Sequence, residues 1–284
     1  MGIGRHLQSP LRIVSALAAG LMSLAWGGYQ YGVRVEARKL SVGRLALTVP
    51  TFLPDSAPYR IVQLTDFHLS PIVSSEHLLR GINVANELEP DLILLTGDYV
   101  GREIAEIYEL APLLATLCAR HGVLGVLGNH DMFTGPAAIT LALRQANVEV
   151  LQNRGKLVQT PGGPLFIAGR DDALYGTPDV PAALAGIPGG VPAIIMVHEP
   201  DIAPYVAADP RVFLQLSGHT HGGQVNLPFF GSPALPRMGR NYLRGLYEVN
   251  VMWLYVSRGL GLSHLPVRIN SQPEVTEITL RGPD

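Results

Sequence analysis

Cysteine is almost missing: Cys118 stands alone in 284 residues. An internal disulfide is therefore excluded, and so is a zinc knuckle built on thiolates. Within a run that reads as a helix over residues 104–120, Cys118 is expected to be a small core residue. Charge is also scarce, at 15% of residues with a formal net charge of -2. No global basic field exists of the kind nucleic-acid binders use, so no nucleic-acid partner is expected. Internal repeats and low-complexity tracts are missing too, which removes solenoids and tails. What remains is a chain long enough for one large core. Its 31 glycines and 23 prolines follow no period and imply many turns between short strands.

Residues 13–33 carry no charge. A bilayer core needs about 20 apolar residues in a helix, and the strongly apolar part, 13–26, is shorter than that. Trp26, Tyr29 and Tyr31 follow where an interfacial aromatic belt would sit. An uncleaved N-terminal membrane anchor over 1–33 is the expectation. A signal peptide cleaved near Ala25-Trp26-Gly27 and a buried soluble helix are the alternatives. Arg5 and Arg12 precede the run and Arg34, Arg38 and Lys39 follow it, so the basic residues give almost no vote on orientation. Residues 34–59 read as leading strands (33–40, 45–49) and a proline-marked connection, and 60–284 as the main domain.

Five apolar strands then end in polar blocks. The run 60–64 leads into Asp66-Phe67-His68, and 91–95 into Gly97-Asp98. The run 123–127 leads into Gly128-Asn129-His130-Asp131, 193–197 into His198-Glu199, and 212–216 into Gly218-His219-Thr220-His221-Gly222-Gly223-Gln224. Ser74 or Ser75 caps a helix to about residue 87, closed by Pro90. In open α/β sheets ligands bind beyond the carboxyl ends of strands. The pattern therefore gathers Asp66, His68, Asp98, Asn129, His130, His198, His219 and His221 on one rim. Carboxylates, imidazoles and an amide together suit divalent ions such as Mn, Fe or Zn. Each block alone is an ordinary turn former or helix cap; the five together are not. His6, His77 and His121 are read as solvated, and Asp171 and Asp172 as turn residues.

This set resembles the calcineurin-like metallophosphoesterase superfamily, with the five blocks in the family's order over residues 60–280. The closest likeness is to small bacterial membrane-anchored members, shared in the Gly-His-Thr-His-Gly-Gly-Gln block, the Leu-Pro-Phe-Phe-Gly loop, Tyr255-Val256-Ser257-Arg258-Gly259-Leu260-Gly261 and Arg268…Pro273-Glu274-Val275. The resemblance implies an α/β (αββα) two-sheet sandwich flanked by helices, with the hydrophobic N-terminal helix added. It implies two divalent ions, the first on Asp66, His68, Asp98 and His221, the second on Asp98, Asn129, His198 and His219. His130 would face the phosphate as the catalytic residue, with Asp131 as a candidate for fixing its tautomer.

The implied activity is hydrolysis of a phosphodiester or pyrophosphate by a metal-activated water. A lipid-linked substrate such as UDP-2,3-diacylglucosamine is expected, from the anchor and from the 227–238 loop, whose apolar Phe229, Phe230 and Leu235 lie near the metal motif. Arg258 and His264 are further candidates for holding a substrate phosphate. A monomer at the bacterial inner membrane, its side undetermined, is expected. The alternatives are a nucleotide or nucleic-acid phosphodiesterase and a metal-stabilised scaffold.

Overall fold

The computed structural model describes residues 10–283. The first element is α1 (Pro10–Arg34), which forms because residues 11–33 lack proline and 11–25 are rich in leucine and alanine, enough to carry it past Gly20, Gly27, Gly28 and Gly32. Residues 14–29 are exposed on every face, and only the C-terminal end docks, where the Gly32 carbonyl accepts from the Arg268 amide. No helix among the described residues is long and apolar enough to cross a membrane. Residues 33–40, expected as a strand, instead finish α1 and form a 3-10 turn at Glu36–Arg38. The reason lies with Glu36: it is buried and its carboxylate accepts the Ser271 amide at 2.8 Å, which pulls the chain inward.

The strands run in chain order as β1 (Ser41–Thr48), β2 (Tyr59–Leu64), β3 (Leu92–Leu95), β4 (Val123–Gly125), β5 (Val148–Val150), β6 (Arg154–Thr160), β7 (Gly163–Gly169), β8 (Ala193–Met196), β9 (Val212–Ser217), β10 (Gly245–Val249), β11 (Met252–Val256) and β12 (Glu274–Arg281). They make two six-stranded sheets, β1-β12-β2-β3-β4-β5 and β10-β11-β9-β8-β7-β6. The pairs β2–β3, β3–β4, β4–β5, β7–β8, β8–β9 and β9–β11 are parallel. The leading strand β1 is not separate from the rest: it runs parallel to β12 from Ser41↔Glu274 to Thr48↔Arg281.

The remaining helices are α2 (Ser75–Glu87), α3 (Ala105–Leu114), α4 (Asn129–Thr134), α5 (Pro136–Gln145), α6 (Val180–Leu184) and α7 (Ala203–Val206). Ser74 caps α2, its hydroxyl accepting from the His77 amide. Strand β3 shows how the layers arise. Its side chains alternate: Leu92 and Leu94 enter the core between the sheets, with Ile61, Ile194 and Leu216, while Ile93 and Leu95 pack outward against α2, α3 and α5. The second sheet buries its outer face under α6 and α7. The result is the αββα sandwich, with a core on both sides of each sheet.

Three expectations are corrected. Helix α3 stops at Leu114, short of residue 120, and Cys118 is exposed, its amide bonded to the Asn86 side chain at 2.9 Å. His77 and His121 are not simply solvated: His77 Nε2 lies 3.0 Å from the Leu260 carbonyl, and His121 stacks on Tyr59 with a 2.7 Å contact to its hydroxyl. His6 lies outside the described residues.

Candidate metal centre

The site sits beyond the carboxyl ends of β2, β3, β4, β8 and β9, drawn from both sheets. Buried Gln63 couples the sheets beneath it, its amide donating to Thr96 Oγ1 at 2.9 Å and to the Ser217 carbonyl at 3.0 Å. Leaving the strands, the chain turns sharply. Asp66, His68, Asp98, His219 and His221 all have φ between 45° and 72°. Non-glycine residues seldom adopt that left-handed conformation, and a cluster of them is where a fold stores strain for function. Glycines make the close approach possible. A methyl group on Gly218 would overlap the Asp66 carboxylate, and one on Gly128 the Asp98 carboxylate.

The geometry brings the predicted ligands together in overlapping groups. Asp66, His68 and His221 converge, as do Asp98, His198 and His219, and His68 and Asp98 also approach His130. Asp98 is central: its Oδ2 lies 3.3 Å from His68 Nε2 and 3.1 Å from His198 Nε2, while its Oδ1 accepts the His130 amide at 2.9 Å. His221 Nε2 lies 3.0 Å from His68 Nε2 and 3.4 Å from Asp66 Oδ1. Asp66 in turn accepts the His219 amide at 3.0 Å.

Backbone carbonyls set the rings. His198 donates from Nδ1 to Thr96 O at 2.7 Å, His219 from Nε2 to Arg237 O at 2.7 Å, and His130 from Nδ1 to Gly101 O at 2.6 Å. A ring whose one nitrogen donates to a carbonyl keeps its other nitrogen as a lone pair when neutral. In a neutral His198 that lone pair would meet the Asp98 carboxylate, acceptor against acceptor. His198 Nε2, His221 Nδ1 and Asn129 Oδ1 are buried without a hydrogen-bond partner.

Protons can relieve only part of this. Burial works against charge on His198 and on His68, but the Asp98 carboxylate overrides it and holds both rings above their ordinary range. Burial also opposes charge on Asp98, yet His198 and His68 hold it well below the usual carboxylate range. Burial and the His198 charge then push His219 down to about 4. Burial and His68 press His221 well below its ordinary value. Four imidazoles cannot all be protonated here, whereas divalent cations would use all four lone pairs and match the carboxylate charge. The donor set fits such ions.

The other candidates part company. His264 lines a cavity of about 530 Å³ that opens on His68, Asp98, Asn129 and His130. Arg258 does not line it: its guanidinium is tied to Glu274 and to Ser41 Oγ, turned under the loops. Phe229 and Phe230 do not line it either; they stand in solvent at a turn tip, 104% and 86% exposed. Leu235, from the same loop, does reach the wall, with Leu174 and Leu265. Asp131 does not set the His130 tautomer, because its carboxylate accepts the amides of Asp98, Tyr99, Val100 and Gly128 at 2.8–3.4 Å, bracing the Asp98 turn. The task falls to Gly101, which no sequence signal marks.

Two residues near the site, Arg268 and Glu199, were given no role in the sequence. Arg268 is fully buried and donates to five backbone carbonyls under the site. Glu199 is buried next to His198, and burial and the neighbouring Asp172 raise its carboxyl well above its usual range. An acidic residue directly after a strand-end histidine was the available signal for Glu199.

A two-sheet sandwich with histidines and carboxylates gathered at strand ends is a metallophosphoesterase architecture. The calcineurin-like phosphoesterase family profile matches residues 59–223, and the chain belongs to that family, the metal-dependent phosphoester hydrolases. It is 38% identical over 271 residues to "Uncharacterized metallophosphoesterase YkuE" of Bacillus subtilis, covering 94% of each chain. It is 31% identical over 273 residues to "Phosphodiesterase YaeI" of Escherichia coli, covering 95% of this chain and 98% of that protein. A third relative, "Transmembrane protein with metallophosphoesterase domain" of Danio rerio, is 32% identical over 81% of this chain and 55% of its own length.

Proposed function

We propose that the protein hydrolyses a phosphodiester or pyrophosphate at a two-ion site, with a lipid-linked ester such as UDP-2,3-diacylglucosamine as its substrate class. Asp66, His68, Asp98 and His221 would hold one ion and Asp98, Asn129, His198 and His219 the other, with Asp98 between them. The observation that carries this is the convergence of His198 Nε2 and His68 Nε2 on the Asp98 carboxylate, 3.1 Å and 3.3 Å away. Bound cations would supply Lewis acidity that activates water and neutralises phosphoryl oxygens. His130, its Nδ1–H held by Gly101, presents Nε2 to the cavity. Once protonated, that nitrogen donates to a phosphoryl or leaving-group oxygen. The apolar wall of Leu174, Leu235 and Leu265 supports an acylated leaving group, and exposed α1 supports a place at a membrane.

The test is turnover by Mn-, Fe- and Zn-loaded protein across bis(p-nitrophenyl) phosphate, UDP-2,3-diacylglucosamine, a cyclic nucleotide and single-stranded DNA. The diester and the nucleotide-linked lipid should turn over. His130→Ala should lower kcat by about 10²–10⁴ while keeping its metal, and Asp98→Asn should lose both activity and bound metal. Preference for the cyclic nucleotide or DNA would favour a nucleotide or nucleic-acid phosphodiesterase, and hydrolysis of none would favour a scaffold.

A further inference from the structure

Across the cavity mouth from His130 stands a second histidine, His264, with the two ring centroids 6.3 Å apart. It has no strand to hold it and has φ of 62°, a conformation a non-glycine residue keeps only under constraint. The constraint comes from Gln224, the last residue of the Gly-His-Thr-His-Gly-Gly-Gln block. Its side-chain amide donates to the carbonyls of Ser263 and Leu265, each at 3.0 Å, and its Oε1 accepts the Ser263 amide at 2.8 Å. The residues on either side of His264 are thus gripped by the loop that carries His219 and His221.

The ring is set as well. Arg102 Nη2 lies 3.1 Å from His264 Nδ1. A guanidinium has only donors, so Nδ1 accepts and the ring proton sits on Nε2. Arg102 follows Gly101, whose carbonyl takes the His130 Nδ1 proton. Both residues are pinned by Glu106, which accepts the Gly101 amide at 2.7 Å and the Arg102 amide at 3.0 Å. One built turn therefore gives the two histidines opposite tautomers. His130 offers a lone pair at Nε2, and His264 offers an N–H.

We propose that His264 is a substrate-binding residue, whose Nε2–H donates to a phosphoryl oxygen of the ester on the side of the cavity opposite His130, with Arg102 and Gln224 as its positioning residues. This rests on the reading of the site as one for phosphate esters. A neutral donor of this kind binds substrate and transition state alike, so its loss falls on KM rather than on kcat.

The experiment compares Mn-loaded full-length wild type with His264→Ala, His264→Phe, His264→Gln and Arg102→Ala. Two readouts are taken: equilibrium binding of inorganic phosphate by calorimetry, and steady-state hydrolysis of bis(p-nitrophenyl) phosphate. His264→Ala and His264→Phe should each weaken phosphate binding and raise KM about tenfold, with kcat within about twofold. His264→Gln, which keeps an N–H donor, should recover most of the loss, and Arg102→Ala should fall between. Phosphate affinity and KM unmoved in His264→Ala would overturn the proposal, as would recovery by Phe to the level of Gln or a loss confined to kcat. Wild type that binds phosphate but hydrolyses no diester would sink the hydrolase reading while the binding comparison still decides on His264. Wild type that binds no phosphate would sink both.

Discussion

Arg268 brings a guanidinium into the loops beneath the candidate metal centre, with burial pushing it down to about 9. Its donors reach the carbonyls of His221, Arg258, Gly259, Gly261 and Ser271, at 2.6–3.5 Å. The loop after β9 and the connection between β11 and β12 are thereby joined through one side chain, and α1 is tied in through the Arg268 amide. Arg268→Met keeps the length and removes every donor, leaving buried carbonyls unpaired at a penalty of about 1–3 kcal/mol for each that stays dry. The melting temperature should fall by roughly 10 °C. Arg268→Lys, which reaches fewer carbonyls, should fall between. A Met variant melting within two degrees of wild type, read by differential scanning calorimetry, would remove Arg268 from this role. The sequence marked Arg268 only as part of the family resemblance; its burial could not be read there, because a lone arginine in a loop looks like an ordinary surface charge. The histidines and aspartates were legible for the opposite reason: they end apolar strands, where packing cannot explain them. Arg258 misled because an arginine in a glycine-rich loop fits a phosphate clamp as well as it fits Glu274.

At the scale of elements, the strand-end blocks were legible because β2, β3, β4, β8 and β9 are short apolar runs with sharp ends. The 33–40 segment was not, since alternation of apolar and polar residues looks the same in a half-buried strand and at the foot of a helix. Helix α1 is the element whose surroundings are incomplete. Leu17, Leu21, Met22, Leu24 and Trp26 are each at least 63% exposed, on all sides of the helix. Burying such a side chain is worth about 1.5–3 kcal/mol. A one-sided protein groove would cover only part of that surface, whereas a lipid surface would take up more of it. Full-length protein should therefore sediment with phospholipid vesicles. A variant lacking residues 1–30 should stay in the supernatant and keep its turnover of bis(p-nitrophenyl) phosphate to within threefold, since only the foot of α1 touches the domain. Full-length protein left in the supernatant would count against membrane attachment.

At the scale of the whole molecule, the candidate ligands belong to different sheets. Asp66, His68, Asp98, Asn129 and His130 follow strands of the first, and His198, His219 and His221 follow strands of the second. Beneath them Gln63 is a polar tie between the layers, and the apolar core between the sheets has no directional preference of its own. At the rim the layers meet through His198 and Asp98, 3.1 Å apart, and through His221 and His68, 3.0 Å apart. Divalent ions would engage these nitrogens and Asp98 in shared coordination, and ions that bind only the folded chain stabilise it by mass action. The gain is about 2.7 kcal/mol when free metal stands at 100 times its Kd. For a domain of this size that is roughly 5–11 °C in melting temperature. Stripping the protein with a chelator should lower the transition by that amount, and Mn added back should restore it. His221→Ala and His219→Ala, which take one ligand from each proposed ion while leaving Asp98 in place, should each reduce the metal-dependent part of the shift. Because Asp98 serves both ions, Asp98→Asn should abolish it. A melting temperature that ignores chelation would mean that the two layers are held by their apolar core and Gln63 alone, and that the strained strand ends do not bind metal in the folded protein.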